Sequence, residues 1–281
     1  GGVLVKFTKM HGCGNDYVYI NCFDSEVRDA AAFSIKVSDR HKGIGSDGLI
    51  LIGESQVADF KMTMYNADGS EGSMCGNGIR CVGKYVYEKG LTDKSHLLIE
   101  TKSGIKTLDL HVLEGVVEYV TVGMGQATFE SVKVPVLTEK DKVIEEPVTL
   151  LGKEYKMTCL SVGNPHAVLW VDEVKEMDID RIGSILQENP MFPEGINVEF
   201  IHVIDRKTID MRVLERGSGE TMACGTGACA SVVAGIVCGL LDDEVTVHLL
   251  GGDLTIGYRK EDQSILMTGP ATLVYEGEIS E

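Results

Sequence analysis

The chain has 281 residues, 43% of them hydrophobic and only 6 of them proline, enough to bury one large core or two ordinary ones. Its formal net charge of −17 argues against a nucleic-acid or anionic-membrane partner, because phosphate-rich surfaces attract basic ones. Eight cysteines with no C-x-x-C pair are too sparse for a disulfide scaffold and lack zinc-ribbon spacing. No stretch has the apolar length of a bilayer span, and the first residues lack the basic and apolar parts of a secretory signal. A reduced, cytoplasmic, soluble enzyme or binding protein is the expectation.

In chain order, Gly14-Asn15 comes before the first clear strand. There Phe60, Met62 and Met64 alternate with Lys61 and Thr63 and lead to Asn66. Cys75-Gly-Asn-Gly78 then opens a helix with Ile79, Val82 and Val86 at helical spacing, stopped at Gly90. A strand-like run follows at 97–100, and a junction falls near 123–125.

The pattern then restarts. Gly163-Asn164 repeats the opening pair, and 208–214 takes the place of the first strand. Cys224-Gly-Thr-Gly227 opens an almost wholly apolar segment, 228–241, read as a helix buried on all sides and stopped at Gly239. A strand-like run at 245–249 follows. One offset of 149 residues (224 − 75) relates the cysteines, the Gly-Asn pairs, Glu71 to Glu220, and Gly90 to Gly239. Such a match indicates two duplicated α+β domains rather than a solenoid. The final run, 271–275, lies beyond the second copy and is expected to return to the first domain.

A cysteine at a helix entry lies beside unpaired N–H groups and the positive end of the helix dipole. Both favour a thiolate, so each thiol is expected to titrate below its ordinary value of roughly 8.5. The glycines after each cysteine let backbone amides approach a carboxylate. Two such loops related by a pseudo-twofold axis would put one sulfur on each face of a bound carbon, as stereoinversion beside a carboxylate requires. No metal or pyridoxal lysine is needed to explain the motif. The other six cysteines, Cys13, Cys22, Cys81, Cys159, Cys229 and Cys238, read as small buried hydrophobes.

The sequence resembles the diaminopimelate epimerases over nearly its whole length. The resemblance rests on Lys9-Met-His-Gly-Cys-Gly-Asn-Asp16, Gly43-Ile-Gly-Ser-Asp-Gly48, Tyr65-Asn-Ala-Asp-Gly-Ser-Glu71 and Cys75-Gly-Asn-Gly-Ile-Arg80. It continues through Gly163-Asn-Pro-His166, Pro193-Glu-Gly-Ile-Asn197, Glu215-Arg-Gly-Ser-Gly-Glu220 and Ala223-Cys-Gly-Thr-Gly-Ala228. It implies two pseudo-symmetric domains, 1–124 plus 269–281 and 125–268, each a mixed, barrel-like sheet wrapped around a central helix, with the substrate enclosed between them.

It also implies cofactor-independent, two-base conversion of LL-2,6-diaminopimelate to the meso isomer, without metal, in lysine and cell-wall precursor synthesis. Cys75 and Cys224 would be the acid–base pair. Gly76, Asn77, Gly225 and Thr226 would bind the reacting carboxylate. Asn15, Asn66, Asn164, Asn197 and Arg216 would hold the other polar groups. Glu215 would accept from an ammonium, and Glu215 and His166 would tune a thiol. The partner is the small-molecule substrate, with a homodimer as the candidate assembly.

Three alternatives stay open on the residues alone. A proline racemase or hydroxyproline epimerase shares the two-cysteine pattern, but carries His where this chain has Asn77. A cysteine hydrolase needs one thiol, and a non-catalytic amino-acid-binding module needs none.

Overall fold

In the computed structural model, which describes residues 2–281, strands dominate and four helices are interspersed, an α+β fold. Internal contacts divide the chain into two compact units: residues up to Val122 together with Thr268–Glu281, and Gly123–Met267.

The first unit runs β1 (Leu4–Gly12), β2 (Asn15–Asn21), α1 (Ala30–Ser38), β3 (Gly48–Gly53), β4 (Phe60–Asn66) and β5 (Glu71–Gly72). It continues with α2 (Gly76–Glu88), β6 (His96–Thr101), β7 (Gly104–Leu113) and β8 (Val116–Gln126), whose last residues pass the boundary. The second runs β9 (Glu146–Leu150), β10 (Lys153–Ser161), β11 (Pro165–Trp170), α3 (Ile179–Gln187), β12 (Asn197–Asp205) and β13 (Thr208–Glu215). Then come β14 (Gly219–Glu220), α4 (Gly225–Val237), β15 (Glu244–Leu249), β16 (Gly252–Arg259), β17 (Ser264–Pro270) and, in the first unit, β18 (Thr272–Ser280).

The offset of 149 seen between the cysteines carries the first residues of β1, α1, β3 and α2 onto those of β10, α3, β12 and α4. Topology repeats with it. Strands β2 and β3 pair in parallel, as do β11 and β12, and each pair is joined by the crossover that parallel strands need, α1 or α3. Helices α2 and α4 serve the parallel pairs β4–β6 and β13–β15 in the same way. Within the second unit β9 pairs antiparallel with β10, and within the first β18 pairs antiparallel with β1 from Leu4–Ser280 to His11–Thr272.

Helices α2 and α4 are the buried ones, packed against β1, β2 and β7 and against β10, β11, β12 and β16 respectively. Burial in α4 runs from Gly227 to Gly235, whereas Val237 and Leu240, expected inside, are exposed where the helix ends. The buried stretches leave no place for unpaired polar groups. Accordingly Ser231 in α4 returns its hydroxyl to the Gly227 carbonyl at 2.8 Å. Arg80 in α2, also fully buried, gives Nη2 to Asn77 Oδ1 at 2.8 Å and Nε to the Pro270 carbonyl at 3.0 Å. Both helices stop in one way. Gly90 and Gly239 turn left-handed (φ +75° and +76°), and the next residues, Leu91 and Leu240, donate back to Val86 and Gly235 at 2.9 and 2.8 Å.

Four of the six cysteines read as buried are so: Cys13, Cys81, Cys159 and Cys229. Cys22 is exposed and Cys238 half-buried, a correction with a simple cause. Cys22 lies just past the end of β2, and Cys238 caps the emerging C-terminus of α4. Burial pushes the Cys159 and Cys229 thiols up to about 12 and Cys81 to about 11. An unfolded thiol titrates near roughly 8.5, so this stability is intact below that pH and is lost as pH rises toward the folded values. The melting temperature is therefore expected to fall from about pH 9 upward, and to fall less in Cys159→Ala. Calorimetry across that range checks it, and parallel curves for the two proteins would contradict it.

Candidate active site

In the first unit Cys75 is the N-cap of α2. Its backbone is extended (φ −135°, ψ 121°), and Sγ accepts from the Gly78 N–H at 3.4 Å. The thiol donates to Asn15 Oδ1 at 3.0 Å, which also receives Asn77 Nδ2 at 3.3 Å. The Asn15 amide is oriented by Asp47, whose Oδ2 takes Nδ2 at 2.7 Å. Asp47 is itself held in a charged cluster. Arg40 bridges Asp16 and Asp47 at 2.9 and 3.2 Å, and Lys9 reaches Asp16 at 3.1 Å. Burial opposes ionisation of Asp16, but the hydrogen bonds from Arg40 and Lys9 prevail and hold its carboxyl below the usual range. Burial, with the Asp16 charge, lifts Asp47 above it. Asn66, at the exposed end of β4, gives Nδ2 to Ser70 Oγ at 3.0 Å, a turn contact rather than a bond to this cluster.

The second unit repeats the frame with different partners. Cys224 caps α4 (φ −128°, ψ 106°), accepts from the Gly227 N–H at 3.3 Å and lies 3.5 Å from Thr226 Oγ1. Asn164, the counterpart of Asn15, gives Nδ2 to Thr226 Oγ1 at 3.2 Å and turns Oδ1 to His166 Nε2 at 2.9 Å. His166 Nδ1 meets Glu199 Oε1 at 2.6 Å, both side chains fully buried. Asn197 ties the surrounding loops, giving Nδ2 to the Pro165 carbonyl at 2.9 Å and accepting the Arg216 N–H at 2.7 Å. The Arg216 side chain is exposed and gives Nη1 to the Glu194 carbonyl at 2.8 Å. Glu215 accepts the Thr221 hydroxyl.

The first amides of each helix, at Gly76 and Asn77 and at Gly225 and Thr226, precede the intrahelical ladder and suit an anion. Each unit thus offers a thiol, helix-start amides suited to an anion, and an oriented asparagine.

The expected lowering of the thiols is overturned. Burial raises Cys75, against hydrogen bonds from Tyr17 and from the Gly78 and Asn77 amides. Cys224 rises well above the ordinary thiol range, through burial first and then the Glu215 and Glu199 charges, against Thr226 and Gly227. A helix N-terminus supplies about half a positive charge, less than desolvation of the thiolate takes away.

Asp47, Asp16, Arg40, Tyr17 and Glu199 were not among the residues singled out from sequence. Asp16 and Asp47 stand inside the quoted motifs, where paired acidic residues near Lys9 and Arg40 were a usable signal. Glu199 sits in β12 among residues buried on both faces, and no spacing marks it.

Among the described residues, no helix is long and apolar enough to cross a membrane. The family profile described as diaminopimelate epimerase matches residues 7–130 and 158–274. The chain is 52% identical to the diaminopimelate epimerase of Acetivibrio thermocellus over 275 residues, covering 98% of each. It is 52% identical to that of Methanococcus maripaludis, covering 98% of this chain and 99% of the other. Among solved structures, a Bacillus anthracis phenazine biosynthesis protein of the PhzF family aligns with TM-score 0.71 and 19% identity over 99% of this chain and 100% of that one. A hydroxyproline epimerase from Agrobacterium vitis aligns with TM-score 0.67 and 15% identity, over 99% and 91%. These two share the duplicated fold. The sequence relatives share far more, and with two cysteine-capped helices in matching positions the chain belongs to the diaminopimelate epimerase family.

Proposed function

We propose that this protein converts LL-2,6-diaminopimelate to meso-diaminopimelate by cofactor-independent, two-base proton transfer, a step in lysine and cell-wall precursor synthesis. The observation that carries the reading is the pair Cys75 and Cys224, each the N-cap of a buried helix, set 149 residues (224 − 75) apart in a repeated frame. The functional domains are 1–124 with 269–281, bearing Cys75, and 125–268, bearing Cys224.

One cysteine, as thiolate, takes the α-proton while the other, as thiol, returns a proton to the opposite face. The roles exchange in the reverse direction. An amino-acid α-hydrogen is very weakly acidic, so the developing charge needs preorganised donors. The amides of Gly76, Asn77, Gly225 and Thr226 supply them at the reacting carboxylate. Asn15, Asn66, Asn164 and Asn197 bind the remaining polar groups, Arg216 holds the distal carboxylate, and Glu215 accepts from an ammonium. Raised thiols fit this chemistry, because the acid of the pair must hold its proton until transfer, and a thiolate of a raised thiol is the stronger base for the α-proton. A cytoplasmic homodimer is the proposed form; sedimentation measures the assembly.

Proton NMR of LL-diaminopimelate with the protein in deuterated water tests the reaction. Loss of the α-proton signal together with appearance of the meso isomer is expected, and both should persist after chelation and without pyridoxal phosphate. A thioester, or binding with no exchange, would replace this reading with hydrolysis or simple binding.

A further inference from the structure

The two units are alike enough that a difference between equivalent positions is informative. A Cβ built on Gly78 in the first turn of α2 would lie 2.7 Å from Ile50 Cδ1. A Cβ built on Gly227, its counterpart in α4, would lie 2.9 Å from Glu199 Oε1. Ile50 and Glu199 are themselves 149 apart (199 − 50), so the same place in the fold is filled by an isoleucine in one unit and a carboxyl in the other. His166 likewise stands where the first unit has Tyr17 (166 − 17). Ile50 shows that packing there is satisfied by an apolar side chain. The carboxyl of Glu199 is fully buried, and its Oε2 has no hydrogen-bond partner. Stability alone does not select such a group.

Hydrogen-bond direction gives it a purpose. Asn164 donates Nδ2 to Thr226, so its Oδ1 faces His166 as an acceptor, and His166 Nε2 must carry a proton. Between His166 Nδ1 and Glu199 Oε1, 2.6 Å apart, there is then room for one proton. An ionised Glu199 would leave Oε2 charged with no donor from the surrounding side chains or backbone. A neutral acid leaves only a carbonyl oxygen there.

We propose that Glu199 is a positioning residue that keeps its proton and donates it to His166 Nδ1, fixing His166 as the Nε2–H tautomer and ordering a one-way run of donors from Glu199 through His166, Asn164 and Thr226 to Cys224 Sγ. Because Thr226 Oγ1 accepts from Asn164, its own hydrogen is left for the sulfur at 3.5 Å, which favours the thiolate whenever Cys224 serves as base. The groups facing Glu199 agree with a neutral carboxyl. Burial raises Glu199 and outweighs the charge and hydrogen-bond effects of His166, which pull it down; the Glu215 charge adds to the rise, and an ionised Glu199 would push up both Cys159 and Cys224. The inference rests on Cys224 being an acid–base residue.

The test compares Glu199→Gln with Glu199→Ile, using the 281-residue chain labelled with nitrogen-15 histidine. Gln can donate to His166 Nδ1 from its amide and is expected to keep the Nε2–H tautomer and near-normal turnover. Ile, the side chain the first unit accepts here, is expected to leave the tautomer unfixed. It should lower kcat by roughly tenfold to a hundredfold with KM little changed and no loss of melting temperature. An imidazolium or Nδ1–H tautomer at His166 in the unmodified protein overturns the proposal. So does normal kcat in Glu199→Ile, or equal damage in both variants. If Glu199→Ile does not fold, the tautomer in the unmodified protein and in Glu199→Gln still decides. Failure of the unmodified protein to epimerise diaminopimelate would instead count against the proposed function, leaving the tautomer measurement to judge the donor run by itself.

Discussion

Replacing either Cys75 or Cys224 with alanine is expected to abolish inversion, with epimerisation reduced by roughly 10²–10⁴-fold or more, the range that one positioned acid or base contributes. The two losses should not add, because removing one member of a pair already stops a reaction that needs both. Stability is a separate matter. Each sulfur accepts a helix N–H, at 3.4 Å from Gly78 and 3.3 Å from Gly227, so alanine also removes an N-cap worth about 0.5–2 kcal/mol. Serine keeps the cap without a readily ionised group, so Cys75→Ser and Cys224→Ser should melt like the parent and still be inactive. In each single variant the remaining thiol should still exchange the α-hydrogen of one diaminopimelate isomer without inverting it. Stereochemical analysis of product formed in deuterated water reads both outcomes. Near-normal turnover in either alanine variant would end the two-base mechanism.

Arg216→Lys is expected to raise KM for diaminopimelate by about ten- to a hundredfold, the equivalent of losing roughly 1.5–3 kcal/mol from a charge-assisted contact. The backbone N–H of Arg216 is anchored on Asn197 at 2.7 Å and its Nη1 on the Glu194 carbonyl at 2.8 Å. Lysine keeps the charge but loses the planar fork that grips a carboxylate at two points while a further nitrogen stays tied to the loop. The distal carboxylate does not change during the reaction, so the loss is uniform binding and kcat should move less than KM. Steady-state kinetics separates the two constants. Unchanged kinetics would place the distal clamp elsewhere.

Much of the molecule is legible in its sequence. The alternation of Phe60, Met62 and Met64 marked β4, the apolar run 228–241 marked α4 as buried, and Gly90 and Gly239 marked left-handed stops. All are local signals: side-chain period, propensity and backbone freedom act within a few residues, and the sequence displays them directly. The internal repeat was legible for a related reason, since two copies of one fold reuse the same local signals at a constant offset.

What the chain could not display is what depends on distant residues meeting. The helix N-termini alone predict lowered thiols, and the thiols are raised instead, because burial at both cysteines and Glu215 beside Cys224 act through space. Asn15 is oriented by Asp47, 32 residues on, and His166 by Glu199, 33 residues on, neither at any helical or strand period. By itself the sequence determined the duplication, the two cysteine-led helices and the strands beside them, all carried by short-range pattern. Only the tertiary structure decided that Asn15 turns its Oδ1 to Cys75 while Asn164 turns its Nδ2 to Thr226, and how tightly each thiol proton is held, because those depend on desolvation and on donors brought together by folding.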